Sequence, residues 1–290
     1  MSAKVDGGTS GAVRGAPARD ALEGAITAIG AAGCETPRLD AELLLAHVLG
    51  VSRERLLTDR DLTVAGPDVR AVQNAVRRRS VQREPVAYIT GVRAFRRLEL
   101  TVDRRALIPR PETELLVELA VAKLAAGTRV LDVGTGSGAV ALALTDERPD
   151  LHVTGGDLSE DALALARLNG ERLGLPVEWL HADLLVGVPD EYDAILSNPP
   201  YVAESERAAL APEIVRHEPP GALFAGADGL SCIRALIAQA GERERVRTIA
   251  LEHGAGQART VRGLLRSAGF PEVRSEPDLA GIERVSVGRR

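Results

Sequence analysis

The alternation of apolar and polar positions changes character along the chain. From Asp20 to about Ser80 the period is helical, with Ala21, Ile26 and Ile29 on one stripe and Leu39, Leu43, Leu44 and Val48 on a second. Pro37 suits the first turn of the second segment and Gly50 its end, and a further helix is expected from about Pro67 to Arg79. Val86–Thr90 and Leu98–Val102 then alternate with a period of two and flank Gly91, the pattern of a β-hairpin. After Glu112 strands and helices take turns, which indicates a doubly wound sheet. Strands are expected at Thr128–Val133, His152–Gly156, Val177–His181, Ala194–Ser197 and Arg247–Leu251. Helices are expected from about Gly138, Ser159 and Gly256, with a closing hairpin over Glu272–Val287. Residues 1–18 show no apolar period and read as a disordered tail.

Composition narrows the class. At 290 residues the chain has room for about two domains. Its 45% hydrophobic and 27% charged residues exclude a collagenous or wholly disordered protein. Aromatic residues are 2%, so Ala, Val and Leu must fill the cores. No apolar run approaches the ~18 residues of a membrane span and the start lacks a signal-peptide pattern, so a cytoplasmic protein is expected. Cys34 and Cys232 lie far apart without CxxC spacing and read as small buried hydrophobes. The five histidines include no pair at i, i+4, and no metal site is expected. The net charge of −5 argues against bulk neutralisation of nucleic-acid phosphates. The balance is uneven: from Arg70 to Arg105 ten arginines face Glu84, Glu99 and Asp103, a local +7 that leaves −12 for the rest. That stretch is either a solvated charged face or a docking surface for an acidic partner.

Two motifs carry chemistry. Val130-Leu-Asp-Val runs into Gly134-Thr135-Gly136-Ser137-Gly138 and then a helix, which sets a glycine-rich turn at the carboxyl edge of the first strand. Open α/β sheets bind ligands there, and glycine lets the backbone approach closely. Gly134, Gly136 and Ala139 also satisfy GxGxxG/A, and Asp157, 23 residues beyond Gly134, could hold a ribose in an NAD or an S-adenosylmethionine site. The loop alone leaves a dehydrogenase, a methyltransferase and a structural turn open.

The second motif follows the strand at Ala194–Ser197 and lies at the same sheet edge: Asn198-Pro199-Pro200-Tyr201. Two successive prolines remove two donors and fix φ near −65°, so a carbonyl can be held outward as an acceptor. The Asn198 side-chain oxygen is a second acceptor and an aromatic ring follows. Such a set suits a planar NH2 group, accepting both its hydrogens while the ring stacks on its face. A dehydrogenase has no use for it.

With this tetrad the sequence resembles the class I S-adenosylmethionine-dependent methyltransferases that modify amino and amide nitrogens. Within them it closely resembles the HemK family of release-factor glutamine methyltransferases. The likeness runs from about residue 20 to the C-terminus. It rests on Pro85-Val-Ala-Tyr-Ile-Thr-Gly91, Ile108-Pro-Arg-Pro-Glu-Thr-Glu114, Asp132–Gly138, Ser197–Tyr201, His217-Glu-Pro and Gly226-Ala-Asp-Gly-Leu230. One departure is Leu184, where some relatives place an aromatic beside the adenine.

The resemblance implies an α/β fold: a seven-stranded doubly wound class I methyltransferase sheet with a smaller N-terminal helical domain and a β-hairpin connection. The expected division is a tail over 1–18, a substrate-recruiting domain over 19–84, a hairpin linker over 85–111 and the methyltransferase domain over 112–290. The implied donor site is Gly134–Gly138 at the methionine end, Asp157 on the ribose hydroxyls, Asp183 on the adenine amino group, and Asn198. Asp132 either reaches the donor's ammonium through water or stabilises the loop. Asn198 and the Pro199 carbonyl, with Pro200, would hold the acceptor amide while Tyr201 packs on it. Arg110 and Glu112 are expected as an inter-domain ion pair, and Trp179, His217 and His253 as packing residues.

The implied reaction methylates the glutamine amide in the Gly-Gly-Gln motif of class 1 peptide chain release factors, by a monomer with no membrane or direct DNA contact. The rival readings are an adenine methyltransferase acting on nucleic acid and a non-catalytic partner-binding module.

Overall fold

A computed structural model describes residues 15–290, which divide after Thr90 into two compact units. The first contains β1 (Ala16–Pro17), α1 (Ala18–Ala31), α2 (Pro37–Leu49), α3 (Arg53–Thr58), β2 (Thr63–Val64), α4 (Pro67–Ser80) and α5 (Val86–Thr90). Most of the expected tail, residues 1–14, lies outside the described residues. The remainder is ordered sooner than expected, because β1 pairs antiparallel with β2 and Ala18 is buried at the start of α1. Pro stands at the first turn of both α2 and α4, where its missing N–H costs nothing, and Gly50 ends α2 at φ 62°. Ile29 of α1 and Leu44 and Leu45 of α2 are fully buried at the centre of the unit.

Val86–Thr90 is a helix, not the expected strand. The Pro85 carbonyl accepts from the backbone N–H of Tyr88 and Ile89 at 3.0 and 3.1 Å, which closes a helical turn. Tyr88 and Ile89 are adjacent and both buried, whereas neighbours on a strand point to opposite faces. A five-residue apolar run is too short for its period to separate the two states.

The basic stretch is largely consumed inside the fold. Arg79 Nε donates to Asp40 Oδ2 at 2.6 Å between α4 and α2, with both side chains 7% exposed. Arg78 forks onto Glu84 at 2.7 and 2.9 Å, and Arg83 donates to the Ala32 carbonyl. Arg77-Arg-Arg79 is therefore not a free docking face.

The second unit contains β3 (Val92–Phe95), β4 (Leu98–Thr101), α6 (Glu114–Lys123), β5 (Arg129–Val133), α7 (Ala139–Glu147), β6 (His152–Asp157), α8 (Glu160–Leu173), β7 (Glu178–His181), β8 (Ala194–Ser197), α9 (Pro212–His217), α10 (Ser231–Gly241), β9 (Thr248–Glu252), α11 (Ala258–Ser267), β10 (Glu272–Pro277) and β11 (Glu283–Arg289). The sequence reading assigns no element to α6 or α10. Strands β3 and β4 form the hairpin, one strand later than expected. Arg96 at its tip adopts φ 52° and is anchored by Glu147 at 2.8 and 2.9 Å and Glu118 at 2.7 Å.

The main sheet has seven strands in the order β10-β11-β9-β8-β5-β6-β7, parallel except for β11, which is antiparallel to both neighbours. Leu131, Ile195 and Ile249 on its central strands bury against Ile233 and Leu236 of α10, Leu265 of α11 and Phe270. Successive connections wind outward on opposite sides of β5, so the chain leaves β5 and β8 in diverging directions and opens a crevice at their carboxyl ends. Both sequence motifs end there.

Candidate active site

At that crevice lies a cavity of about 770 Å³. The glycine loop forms one wall. Gly134, Gly136 and Gly138 adopt φ 72°, 58° and 84°, the left-handed region where a side chain would be strained. The backbone N–H groups of Gly134 and Thr135 both donate to the Gly156 carbonyl at 2.8 and 2.9 Å, which locks the loop to the end of β6. Trp179 of β7 packs beneath: a Cβ on Gly138 would stand 2.9 Å from its ring and one on Gly155 2.5 Å. The packing role expected of Trp179 has this structural basis.

Two carboxylates brace the loop. Asp157 Oδ2 accepts from the Gly136 N–H and Oδ1 from the Ser159 N–H, both at 2.9 Å, while the residue lines the cavity. Asp132 is 2% exposed and accepts from the Thr135 hydroxyl at 2.6 Å. Burial pushes its pKa up to about 7, against the pull of the Thr135 hydroxyl and the Ala141 N–H, and the nearby charge of Asp157 adds to the rise. Of the two roles weighed for Asp132, the hydrogen bonding is that of a loop brace. The Ser137 hydroxyl is buried with no hydrogen-bond partner among the described residues.

Asp183 lines the same cavity beside Leu184, whose φ is 52°. Cys232, expected to be buried, is half-buried and also lines it, and burial raises its thiol to about 11.

The tetrad divides in two. Asn198, Pro199 and Pro200 line the cavity, and Tyr201 does not. The Ser197 hydroxyl donates to the Val133 carbonyl at 2.6 Å, which pins the end of β8 to that of β5 and sets the tetrad beside the glycine loop. Asn198 Nδ2 donates to Thr113 Oγ1 at 3.0 Å. Because the nitrogen is committed there, Oδ1 remains as the acceptor end of this amide. Tyr201 packs against the buried core, and its hydroxyl donates to Glu252 Oε1 at 3.2 Å. The ring expected on an acceptor amide thus lies outside the cavity, held by a carboxylate behind it.

Glu252, at the carboxyl end of β9, is 1% exposed, and burial raises its pKa to about 7. Sequence reasoning missed it, together with Thr113. The available signal was an acid ending a buried parallel strand at the same sheet edge as Asp157. Arg110 lines the cavity and pairs with Glu218 at 2.5 Å, not with Glu112 as expected. A second Glu218 oxygen accepts the Ile108 N–H at 3.1 Å, so this buried acid holds two points of the 108–110 segment.

Relatives with this arrangement are identifiable. The profile of the PrmC N-terminal domain matches residues 20–91 and that of the methyltransferase small domain residues 111–224. A release factor glutamine methyltransferase of Deinococcus radiodurans is 43% identical over 94% of this chain and 98% of its own. Another, of Bordetella pertussis, is 45% identical over 87% of this chain and 94% of its own. The chain belongs to the release factor glutamine methyltransferase family.

Among solved structures, the hMettl16 catalytic domain in complex with a MAT2A 3′UTR hairpin matches with TM-score 0.54 at 18% identity, covering 78% of this chain and 82% of that one. The T. thermophilus 16S rRNA N2 G1207 methyltransferase, solved with AdoMet and guanosine, matches with TM-score 0.50 at 19% identity, covering 69% and 49%. These two share the methyltransferase fold; the family membership rests on the sequence relatives. Among the described residues no helix is long and apolar enough to cross a membrane.

Proposed function

We infer that this chain transfers a methyl group from S-adenosylmethionine to the side-chain amide nitrogen of the glutamine in the Gly-Gly-Gln motif of class 1 release factors. The observation that supports it most directly is Asn198, whose amide oxygen is left as an acceptor at the cavity while its nitrogen is tied to Thr113. The cytoplasm is the compartment this reading expects, and a monomer its working form.

The residues present fit the donor. The loop glycines carry no Cβ on the cavity wall, the Ser137 hydroxyl is buried without a partner, and Asp157 keeps lone pairs beyond its two backbone contacts. Gly134–Gly138 would hold the methionine end, Asp157 the ribose hydroxyls and Asp183 the adenine edge. The bound donor supplies an electrophilic methyl group on a positively charged sulfur.

An amide nitrogen is a poor nucleophile because its lone pair is delocalised into the carbonyl. Asn198 Oδ1 and the Pro199 carbonyl accept the two N–H hydrogens, which localises electron density on nitrogen and aims it. This contribution is one of positioning and electrostatics. A nitrogen–carbon bond forms as the sulfur–carbon bond breaks, and one N–H proton then leaves to water. Methylation itself acidifies that proton, so no strong base has to precede transfer.

The test is methyl transfer from labelled donor to purified release factor, run beside duplex DNA. Label on the Gly-Gly-Gln glutamine and none on DNA is expected. Label on DNA alone, or on neither, overturns the reading.

A further inference from the structure

Behind the tetrad runs a chain of hydrogen bonds from three separate segments. Asn198 Nδ2 donates to Thr113 Oγ1, in the short turn Pro111–Thr113 that precedes α6. The Thr113 hydroxyl in turn bonds the Glu252 carboxylate at the end of β9. Tyr201 donates to the same carboxylate at 3.2 Å, and Glu252 Oε2 is buried with no hydrogen-bond partner among the described residues. Thr113 is 4% exposed and Glu252 1%, so neither is satisfied by bulk water.

The direction of such a chain is set by its most restrictive member. An ionised carboxylate only accepts, so both hydroxyls must give it their protons. Thr113, its single proton spent, can then only accept from Asn198. The Asn198 amide is thereby held with NH2 inward and oxygen toward the cavity. Were the end group able to donate, Thr113 could turn its own proton toward Asn198, and the amide could rotate to present NH2 to the substrate. An NH2 facing an NH2 is repulsive where an acceptor is required.

We propose that Glu252 is a positioning residue that, through the Thr113 hydroxyl, fixes which end of the Asn198 amide faces the substrate. It touches no reacting atom. The inference rests on the function proposed above, since it is the need to accept from an NH2 group that gives the amide's orientation its consequence. It also accounts for a carboxyl group retained among apolar side chains, where burial alone is costly.

Glu252→Gln keeps the shape and one acceptor but adds a donor. Turnover on release factor is expected to fall by about 100-fold, as for a misplaced reacting group. The KM for donor, the affinity for S-adenosylhomocysteine and the Tm should stay within twofold or a few degrees of the parent. Placed on Asn198→Ala, the same change should cost nothing further, because the residue it orients is gone. Thr113→Val should reproduce the loss and Thr113→Ser should restore activity, which keeps the test open if Glu252→Gln folds poorly.

Parental turnover in Glu252→Gln or in Thr113→Val overturns the proposal. So does a full additional loss on the Asn198→Ala background, or a fall in donor affinity and Tm that matches the fall in turnover. A parent enzyme that labels no release factor overturns the functional reading, and this inference with it.

Discussion

The chemistry assigned to Asn198 depends on one amide oxygen. Asn198→Ala removes it while leaving the glycine loop untouched, so turnover should fall by a factor on the order of 100 to 1,000 with donor affinity retained. Calorimetry with the donor beside a transfer assay separates the two, and parental turnover would dismiss the mechanism. Tyr201 belongs to a different part of the argument than its sequence suggests. With its ring in the core and its hydroxyl on Glu252, Tyr201→Phe should cost about 1 kcal/mol of stability from the lost hydrogen bond and less turnover than Asn198→Ala. The glycine loop and Asn198 were legible because each motif is contiguous and ends a strand. Thr113 stands 85 residues from Asn198, and Tyr201 51 from Glu252. Neither pairing leaves a local pattern; only the folded sheet edge brings them together. Similarly, nothing in the spacing of Arg110 and Glu112 discloses that the arginine's partner is Glu218.

At the scale of elements, alternation located the core strands well because each runs between clear turn signals. Ala194–Ser197 agrees at both ends with the sequence reading, and the other parallel strands differ by a residue at one or both ends. Short segments fared worse: α5 was legible as an apolar run but not as a helix, because its identity comes from the Pro85 carbonyl and burial against its unit. The loop that joins β5 to α7 illustrates how an element boundary is fixed by packing as much as by dihedral preference. Gly134 and Gly138 both have positive φ, but a Cβ on Gly134 meets nothing within 4 Å. A Cβ on Gly138 meets Trp179 at 2.9 Å and Leu142 at 3.0 Å. The Trp179 ring has little room to yield, because it already lies against the backbone of Gly155 and Gly170. Gly134→Ala should therefore cost roughly 1–2 kcal/mol from backbone strain alone. Gly138→Ala should cost that plus about 1–3 kcal/mol of overpacking, and weaken donor binding as the loop shifts. Urea unfolding of the two variants checks the difference; equal losses would mean that the tryptophan gives way.

For the molecule as a whole, charge is mostly an internal matter. The +7 stretch looked like a surface because composition cannot show pairing, yet Arg79, Arg78 and Arg96 each meet a carboxylate. The opposite case is a pair of acids that the fold keeps from ionising easily. Burial raises both Asp132 and Glu252 to about 7. Around Asp132 stand the Thr135 hydroxyl, the Ala141 N–H and Asp157; around Glu252 stand the Thr113 and Tyr201 hydroxyls, Glu112 and Arg284. In the unfolded chain both acids release their protons near pH 4. A folded-state pKa above the unfolded one adds stability that is fully present below about pH 4 and is lost as pH rises to about 7. Exposed acids held low by arginine, such as Asp228 at about 2, act in the other direction only at lower pH. Asp132→Asn removes one raised group while keeping an acceptor for the Thr135 hydroxyl. Between pH 5 and pH 8 the parent should therefore lose more unfolding free energy than Asp132→Asn, by a few kcal/mol at most, each unit of pKa being worth about 1.4 kcal/mol. Urea midpoints measured at intervals across that range decide it. Parallel curves would mean that Asp132 is already ionised in the folded protein at pH 5, and that the loop hydrogen bonds outweigh its burial.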